Sequence, residues 1–297
     1  SRDKPEIIRR FSESLKRLVE RTASCLKDFF NDSIDGYIGQ KHKEIAINLF
    51  DEWCCRNDIT PLSDLYKFLL DKSNNIIRLT GSARKRALDK LIEDVAKGIK
   101  VPESKVRNII TKCMAKLQSG QNKQSVWEAA KNLLKDHIEL FLNQTAHVII
   151  ARILVYRIME DKKYAGPILL NAASSPRVDT LKIFFILREK CETLLPNVYA
   201  LNEFDWWYIP DVIRGLLNPD QKKIAYRHEN RLRGALKNVI ISLVSYDLSN
   251  VDFDIWQEVY QYYLPEEERQ RLGGFYTPRK LVTLILDLAG YRPNVKD

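Results

Sequence analysis

A short motif near the C-terminus combines residue types that can begin a helix beside a bound anion. Residues 272–282 read Leu-Gly-Gly-Phe-Tyr-Thr-Pro-Arg-Lys-Leu-Val and lead into an apolar helical pattern. The Thr277 hydroxyl can cap that helix, and Pro278 suits its first position. Arg279 and Lys280 fall in the first turn, where the helix dipole disfavours cations, so an anionic group nearby would explain them. The alternative is a capped helix with two solvated basic side chains.

A second stretch has the spacing of a helix-turn-helix. Residues 91–110 predict two helices joined by a turn around Lys100 and Val101, with Pro102 beginning the second helix. The buried positions of this pattern are Ala96, Val106 and Ile109. An ordinary helical hairpin has the same pattern, and Lys100 stands where such turns usually carry glycine.

This helix-turn-helix pattern lies in a basic block, because residues 78–123 hold twelve basic and four acidic residues. The second helix would direct a set of polar side chains toward a DNA major groove, where Arg and Asn read bases well. We predict that these residues include Lys105, Arg107 and Asn108. Arg84, Lys85 and Arg86 precede the turn and are predicted to contact the DNA backbone only. Solvated helix faces are the alternative explanation of the basic block.

The charge of the whole chain also favours a polyanionic partner. The 297 residues include 48 Lys+Arg and 39 Asp+Glu, which gives a net charge of +9 and an isoelectric point near 9.2. The signatures of common active sites are absent from the sequence. It contains no GxSxG, GxxxxGK[ST], HExxH or glycine-rich dinucleotide turn, and its four histidines and five cysteines lack metal-ligand spacing. We therefore predict no catalytic residue and no metal site in this chain.

The composition predicts an all-α protein. Glycine and proline number 11 each, so the chain has few turn residues, and no segment alternates as a strand does. A polar stretch over residues 119–124 precedes a capping-box pattern from Ser125 to Glu128, which predicts a helix running to about Asp161. Its part from Val148 to Tyr156 is apolar nearly all round and should be central core. Further helices are predicted over residues 178–194, 226–244 and 254–263, with residues 217–219 as a connection.

The residues around the C-terminal motif resemble a known family. Residues 265–278, Pro-Glu-Glu-Glu-Arg-Gln-Arg-Leu-Gly-Gly-Phe-Tyr-Thr-Pro, are similar to the segment that precedes the catalytic domain of adenine-specific DNA methyltransferases of restriction-modification systems. Residues 144–161 and 251–260 resemble the helical region of the same family. The resemblance spans residues 125–291. It implies that Phe275, Tyr276, Thr277 and Pro278, the family's motif X, contact the cofactor S-adenosylmethionine.

The family's later motifs are missing from this sequence. In the family, motif X is followed by an Asp-Pro-x-x-Gly-x-Gly cofactor loop and an Asn-Pro-Pro-Tyr catalytic loop, and neither occurs here. The resemblance therefore implies the N-terminal part of a larger enzyme of restriction-modification or phage defence. Its partners would be double-stranded DNA and a C-terminal catalytic domain of the same chain. This part alone is expected to be inactive and to bind S-adenosylmethionine weakly.

Three regions follow from this interpretation. Residues 1–120 form a basic helical region with the possible helix-turn-helix, residues 125–265 form a helical domain like that of the methyltransferases, and residues 266–297 carry motif X and the first helix of a truncated catalytic domain. No apolar run reaches the roughly 18 residues that cross a bilayer, and the odd cysteine count fits a reducing compartment. We therefore expect a cytoplasmic protein without membrane spans. A stand-alone helical nucleic-acid-binding or adaptor protein is the alternative function.

Overall fold

The fold was obtained as a computed structural model that describes residues 4–119, 123–192 and 202–249. Over these ranges the chain is all-α, as predicted, and contains no strand. The α-helices are α1 (Lys4–Ile34), α2 (Gln40–Arg56), α3 (Leu62–Ile77), α4 (Gly81–Ile99), α5 (Glu103–Gln118), α6 (Lys123–Leu133), α7 (Lys135–Asp161), α8 (Ile168–Ser174), α9 (Thr180–Glu192), α10 (Asp211–Leu216) and α11 (Pro219–Val244), and a 3₁₀ helix covers Asn202–Asp205.

The chain divides into two units, residues 18–247 and residues 1–17 with 248–297. Every contact discussed below lies within the first unit. The polar stretch over residues 119–124, at the border of the first two predicted regions, falls inside this unit, and α5 and α6 on its two sides pack against each other. The proposed division into three regions stays a prediction.

Helix α7 is the core of the first unit. Residues 152–160 are all buried, which confirms the central position predicted from the apolar stretch in this helix. It is the one helix among the described residues that is long and apolar enough to cross a membrane, but 61% of that window is buried inside the protein. This burial is what the core helix of a globular protein requires.

An aromatic cluster joins α1 and α2 to α7. Phe30 contacts Phe50, Phe141 and Trp206 with ring centroids 5.6, 5.7 and 4.9 Å away. Trp206 follows the 3₁₀ helix and donates its indole N–H to the Thr145 hydroxyl at 3.3 Å. All five side chains are fully or almost fully buried. Large aromatic side chains with satisfied polar atoms contribute strongly to a core, and this cluster fixes the first two helices against α7.

Side chains cap the starts of α3 and α11. The Asp51 carboxylate, on α2, accepts the Leu62 N–H at 2.7 Å and so caps α3. Residues 217 and 218 connect α10 to α11, as predicted, but α11 begins at Pro219, seven residues earlier than expected. Asn218 and Gln221 form a capping box there, with Pro219 at the first helical position. These residue types are the usual signals of a helix start, which the sequence prediction overlooked.

The helix predicted from Ser125 to Asp161 is two helices. The first helix begins at Lys123, and the break falls at Leu134 although neither glycine nor proline is present there. The Leu134 side chain is fully buried. The partners change at this point, because α6 packs mainly on α3 and α5, while α7 packs on α9, α11 and the 3₁₀ helix. Tertiary packing therefore decides the break.

The end of the short helix α8 is bound by a residue from a distant helix. The Lys237 ammonium, on α11, donates to the Ala172, Ala173 and Ser175 carbonyls at 2.5, 3.2 and 2.7 Å. The last carbonyls of a helix have no partner within the helix, and a lysine is well suited to them because of the helix dipole. Lys237 thus adds to the local C-cap, in which the Ser175 N–H donates to the Ala172 carbonyl at 3.3 Å.

His42 makes folding dependent on pH. Its ring is fully buried, lies 5.8 Å from the Phe29 ring and has no hydrogen-bond partner for either nitrogen within the described part of the chain. Burial lowers the pKa of His42 from 6.5 to about 4, because apolar surroundings disfavour the charged imidazolium.

We predict that His42→Leu removes part of the acid sensitivity. Between these two pKa values the unfolded chain takes up a proton at His42 that the folded protein does not, so the free energy of unfolding falls as the pH falls. The native protein should therefore lose about 3 kcal/mol relative to the variant across this range. Urea unfolding of both proteins at a series of pH values measures the difference. A difference that stays constant with pH would contradict the prediction.

Candidate nucleic-acid interface

The helix-turn-helix spacing is present in the structure as α4, a three-residue turn and α5. Lys100 adopts the left-handed conformation, with φ of 54°, at the position where glycine is usual. The Val101 N–H donates to the Ala96 carbonyl at 3.1 Å and closes the end of α4. Ala96 and Val106 are buried as predicted.

One predicted core position of α5 is wrong by a residue. Ile109 is only half-buried, while Ile110 is buried. Val106 and Ile110 are one helical turn apart and pack inward together, so Ile109 is rotated toward the side of α5 that faces α6.

The turn between α4 and α5 is held by neighbouring elements. Gly98 approaches the α2–α3 loop so closely that an added Cβ would lie 2.5 Å from the Thr60 hydroxyl oxygen, and the Thr60 N–H donates to the Gly98 carbonyl at 2.9 Å. His137, near the start of α7, donates from Nε2 to the Ile99 carbonyl at 2.7 Å. The orientation of α5 is therefore set by packing rather than by the turn alone.

The predicted base-reading residues of α5 lie on different sides of the helix. The Lys105 ammonium pairs with Asp136 of α7 at 2.5 Å, and Arg107 pairs with Asp89 of α4 at 2.7 Å. Asn108 is exposed. Positions two residues apart on a helix do not face each other. Lys105 and Arg107 thus connect α5 to two different neighbours, and only Asn108 of the three points to solvent without a partner among the described residues.

The predicted backbone contacts lie at the beginning of α4. Lys85 and Arg86 are exposed and Arg84 is half-buried, and none of the three forms an ion pair with the residues that the structure describes. The first turn of α4 contains no acidic residue, and its N-cap, Thr80, makes no side-chain capping bond. This end of α4 therefore has uncompensated positive charge.

A basic groove runs between α5 and α6, with a volume of about 540 Å³. Four lysines line it, together with Asn132 and Glu128: they are Lys105, Lys112, Lys116 and Lys135. The three on α5 follow one face of that helix over about 16 Å. Lys112, Lys116 and Lys135 are exposed.

The groove carries a net positive charge. Glu128 is the one carboxylate among the described residues that line it, and it shares the Lys131 ammonium, 2.8 Å away, with Asp35. Lys112, Lys116 and Lys135 form no ion pair within the described ranges. Ammonium groups on flexible stems bind phosphate as point charges and need no fixed geometry. The groove is therefore suited to a polyanion whose charges repeat along its length.

The sequence prediction found one of these four lysines, Lys105. Lys112 and Lys116 could also have been found, because positions 105, 109, 112 and 116 lie on one helical face by their spacing. Lys135 and Asn132 reach the groove only because α6 packs beside α5, and no local pattern indicates that. Arg84, Lys85, Arg86, Arg107 and Asn108 do not line the groove.

The predicted cofactor contacts Phe275, Tyr276, Thr277 and Pro278 lie outside the described residues. The predicted helix over residues 254–263 also lies outside them. Over the part that is described, no three His, Cys, Asp or Glu side chains form a group that could hold a metal ion. His228 has a carboxylate partner 196 residues away in the sequence, since its Nε2 lies 2.7 Å from Asp32 Oδ2.

Comparison of the chain with protein-family models, with curated proteins and with solved structures finds no significant match.

We predict that Arg107→Ala lowers the free energy of unfolding by about 1 kcal/mol or less. Its ion pair with Asp89 is half exposed, with side-chain exposures of 49% and 44%, and such pairs add little to stability. Urea unfolding of the variant measures the change. A loss of several kcal/mol would mean that the pair is essential for the position of α5.

Proposed function

We propose that this chain is the helical, DNA-contacting part of an adenine-specific DNA methyltransferase that uses S-adenosylmethionine. The basic groove between α5 and α6 carries the DNA-binding part of the proposal. Its lysines span about half a helical turn of duplex DNA, and three of them, Lys112, Lys116 and Lys135, form no ion pair with the described residues. The methyltransferase part rests on the resemblance of residues 265–278 to motif X.

The groove favours contacts with phosphates rather than bases. Lysine ammonium groups dominate its lining, and neutralised phosphates release counterions whatever the sequence. Base reading would come from Asn108 and from Arg107 after its pair with Asp89 opens. The uncompensated start of α4, with Arg84, Lys85 and Arg86, would add further backbone contacts.

The DNA-binding proposal is tested by the salt dependence of binding. We expect weak binding to duplex DNA that falls steeply with salt, and we expect Lys112→Gln with Lys116→Gln to reduce the slope of log affinity against log salt by about 2. Anisotropy of a labelled duplex at several salt concentrations measures it. The control is Lys67→Gln with Lys72→Gln, which makes the same charge change at exposed positions of α3 outside the groove. Equal slopes for the two double variants, or binding that salt does not weaken, would contradict the proposal.

Substitutions should distinguish residues that read bases from residues that bind the DNA backbone. Replacing Arg84, Lys85 and Arg86 together by alanine should weaken binding to all duplex sequences alike. Arg107→Ala and Asn108→Ala should instead reduce sequence preference, by about 1–3 kcal/mol for each good base contact. Competition between duplexes of different sequence measures the preference. Weaker binding without a change in preference would assign Arg107 and Asn108 to the backbone as well.

The methyltransferase proposal is tested by the coding sequence that follows Asp297 and by cofactor titration. A downstream Asn-Pro-Pro-Tyr segment supports it, while a natural stop favours a stand-alone nucleic-acid-binding protein, which the same groove would also serve. In the full-length enzyme, Tyr276→Ala and Thr277→Ala should weaken S-adenosylmethionine binding, measured by calorimetry. An unchanged dissociation constant in both variants would leave motif X a purely structural helix entry.

A further inference from the structure

A second, smaller pocket lies on another side of α6 and shares no lining residue with the basic groove. Its volume is about 260 Å³, and its walls come from the α1–α2 connection, α2, α3 and α6. The residues that give it chemical character are Asp35, Lys43, Tyr66, Lys123 and Trp127. The nucleic-acid interface described above uses none of them.

Two aromatic rings form one side of this pocket. Tyr66 and Trp127 meet edge to face, with ring centroids 5.4 Å apart and an interplanar angle of 84°. The Trp127 indole N–H donates to Asp35 Oδ1 at 2.9 Å, which fixes the orientation of the ring. Both rings are half-buried. A flat ligand would therefore meet aromatic surfaces that are already held in place.

The charges around these rings select an anion. The Asp35 carboxylate is paired with the Lys131 ammonium at 2.7 and 2.9 Å, and Lys131 is shared with Glu128, so together with Lys43 and Lys123 these groups leave a net charge of +1. Lys43 lies over the Trp127 ring, with Nζ 5.0 Å from the centroid, and it has no carboxylate partner among the described residues. Lys123 is exposed at the rim. A cationic ligand would be repelled by Lys43 and Lys123, whereas an anionic one would be attracted by both ammonium groups.

We propose that this pocket binds one unpaired nucleotide of DNA, with its base against Tyr66 and Trp127 and its phosphate at Lys43 and Lys123. Nucleotides combine a flat ring with a negative charge, and stacking on an aromatic side chain stabilises any base. The pocket is too small for a duplex, and a base that stays in the helical stack cannot enter it, so the nucleotide must be unpaired or extruded. The DNA context rests on the proposed function, but the pocket itself is independent of the groove.

The experiment compares three labelled duplexes of one sequence: fully paired, with one bulged adenine, and with an abasic residue in place of that adenine. The native protein should bind the bulged adenine about fivefold or more tightly than the other two, which corresponds to stacking of a single base. The abasic duplex keeps the bend and the extra phosphate, so it isolates the contribution of the base. Lys43→Gln and Tyr66→Leu should remove this preference.

Matched controls lie close to the pocket. Lys41→Gln makes the same change on α2, and Tyr37→Leu makes the same change at a tyrosine that is 58% exposed; neither residue lines the pocket. Both should keep the preference for the bulged adenine. Equal binding of all three duplexes by the native protein would overturn the pocket proposal and leave DNA binding by the groove intact.

If no duplex binds, that result overturns only the groove proposal. A mononucleotide titration then tests the pocket by itself. Addition of dAMP should quench indole fluorescence, and the quenching should disappear in Trp127→Phe and weaken in Lys43→Gln. Trp53, Trp206 and Trp207 are almost fully buried, so they are poorly placed to report a surface ligand, and Trp127→Phe separates the signal of Trp127 from that of Trp256, which lies outside the described residues. Absence of quenching in the native protein would overturn the proposal.

Discussion

The second half of α7 buries a positive charge, and the elements around it are placed by the need to neutralise that charge. Arg152 is fully buried, its guanidinium donates to Asp205 Oδ1 at 2.6 Å, and it lies 5.8 Å from the centre of the Phe184 ring. A buried charge without its partner costs several kcal/mol. The 3₁₀ helix must therefore deliver Asp205 to α7, and this same placement brings Trp206 and Trp207 into the core.

Buried charged groups that need a partner recur about one and two turns further along α7. Arg157 pairs with Asp161 on its own helix, and Glu160 accepts the Leu169 N–H of α8 at 2.5 Å. Burial raises the pKa of Glu160, while that backbone bond and Arg157 oppose the rise. The core helix thus binds its neighbours by polar contacts as well as by apolar packing. At the other end of α7 the chain turns at Leu134, and α6 packs on α3 and α5, where it forms walls of both the groove and the pocket.

Local residue patterns predicted the fold class and much of the core. The apolar stretch from Val148 to Tyr156 located the central helix, and the turn at Lys100 and Pro102 located the α4–α5 pair. The break at Leu134 could not be predicted, because no residue there disfavours a helix and only the change of packing partners explains it. The start of α11 could have been predicted, since Asn218, Pro219 and Gln221 are ordinary capping residues.

The candidate sites were harder to predict than the fold because they are assembled from distant segments. The spacing of Lys105, Lys112 and Lys116 is visible in the sequence, but Lys135 joins them only through the packing of α6 on α5. The pocket depends on Asp35 and Trp127, which are 92 residues apart. Arg107 illustrates the converse, since a residue type suited to base reading is held by Asp89 in the folded protein.

The way in which Lys237 binds the end of α8 has a consequence for the order of folding. Helix α8 has seven residues, too few to be stable in isolation, and its last carbonyls are satisfied by an ammonium group 62 to 65 positions later in the chain. Closing a loop of that length costs entropy before the contact is gained. We therefore expect helix α8 to form after α11 has docked, and to be among the first helices to exchange its amide protons when the native state opens locally.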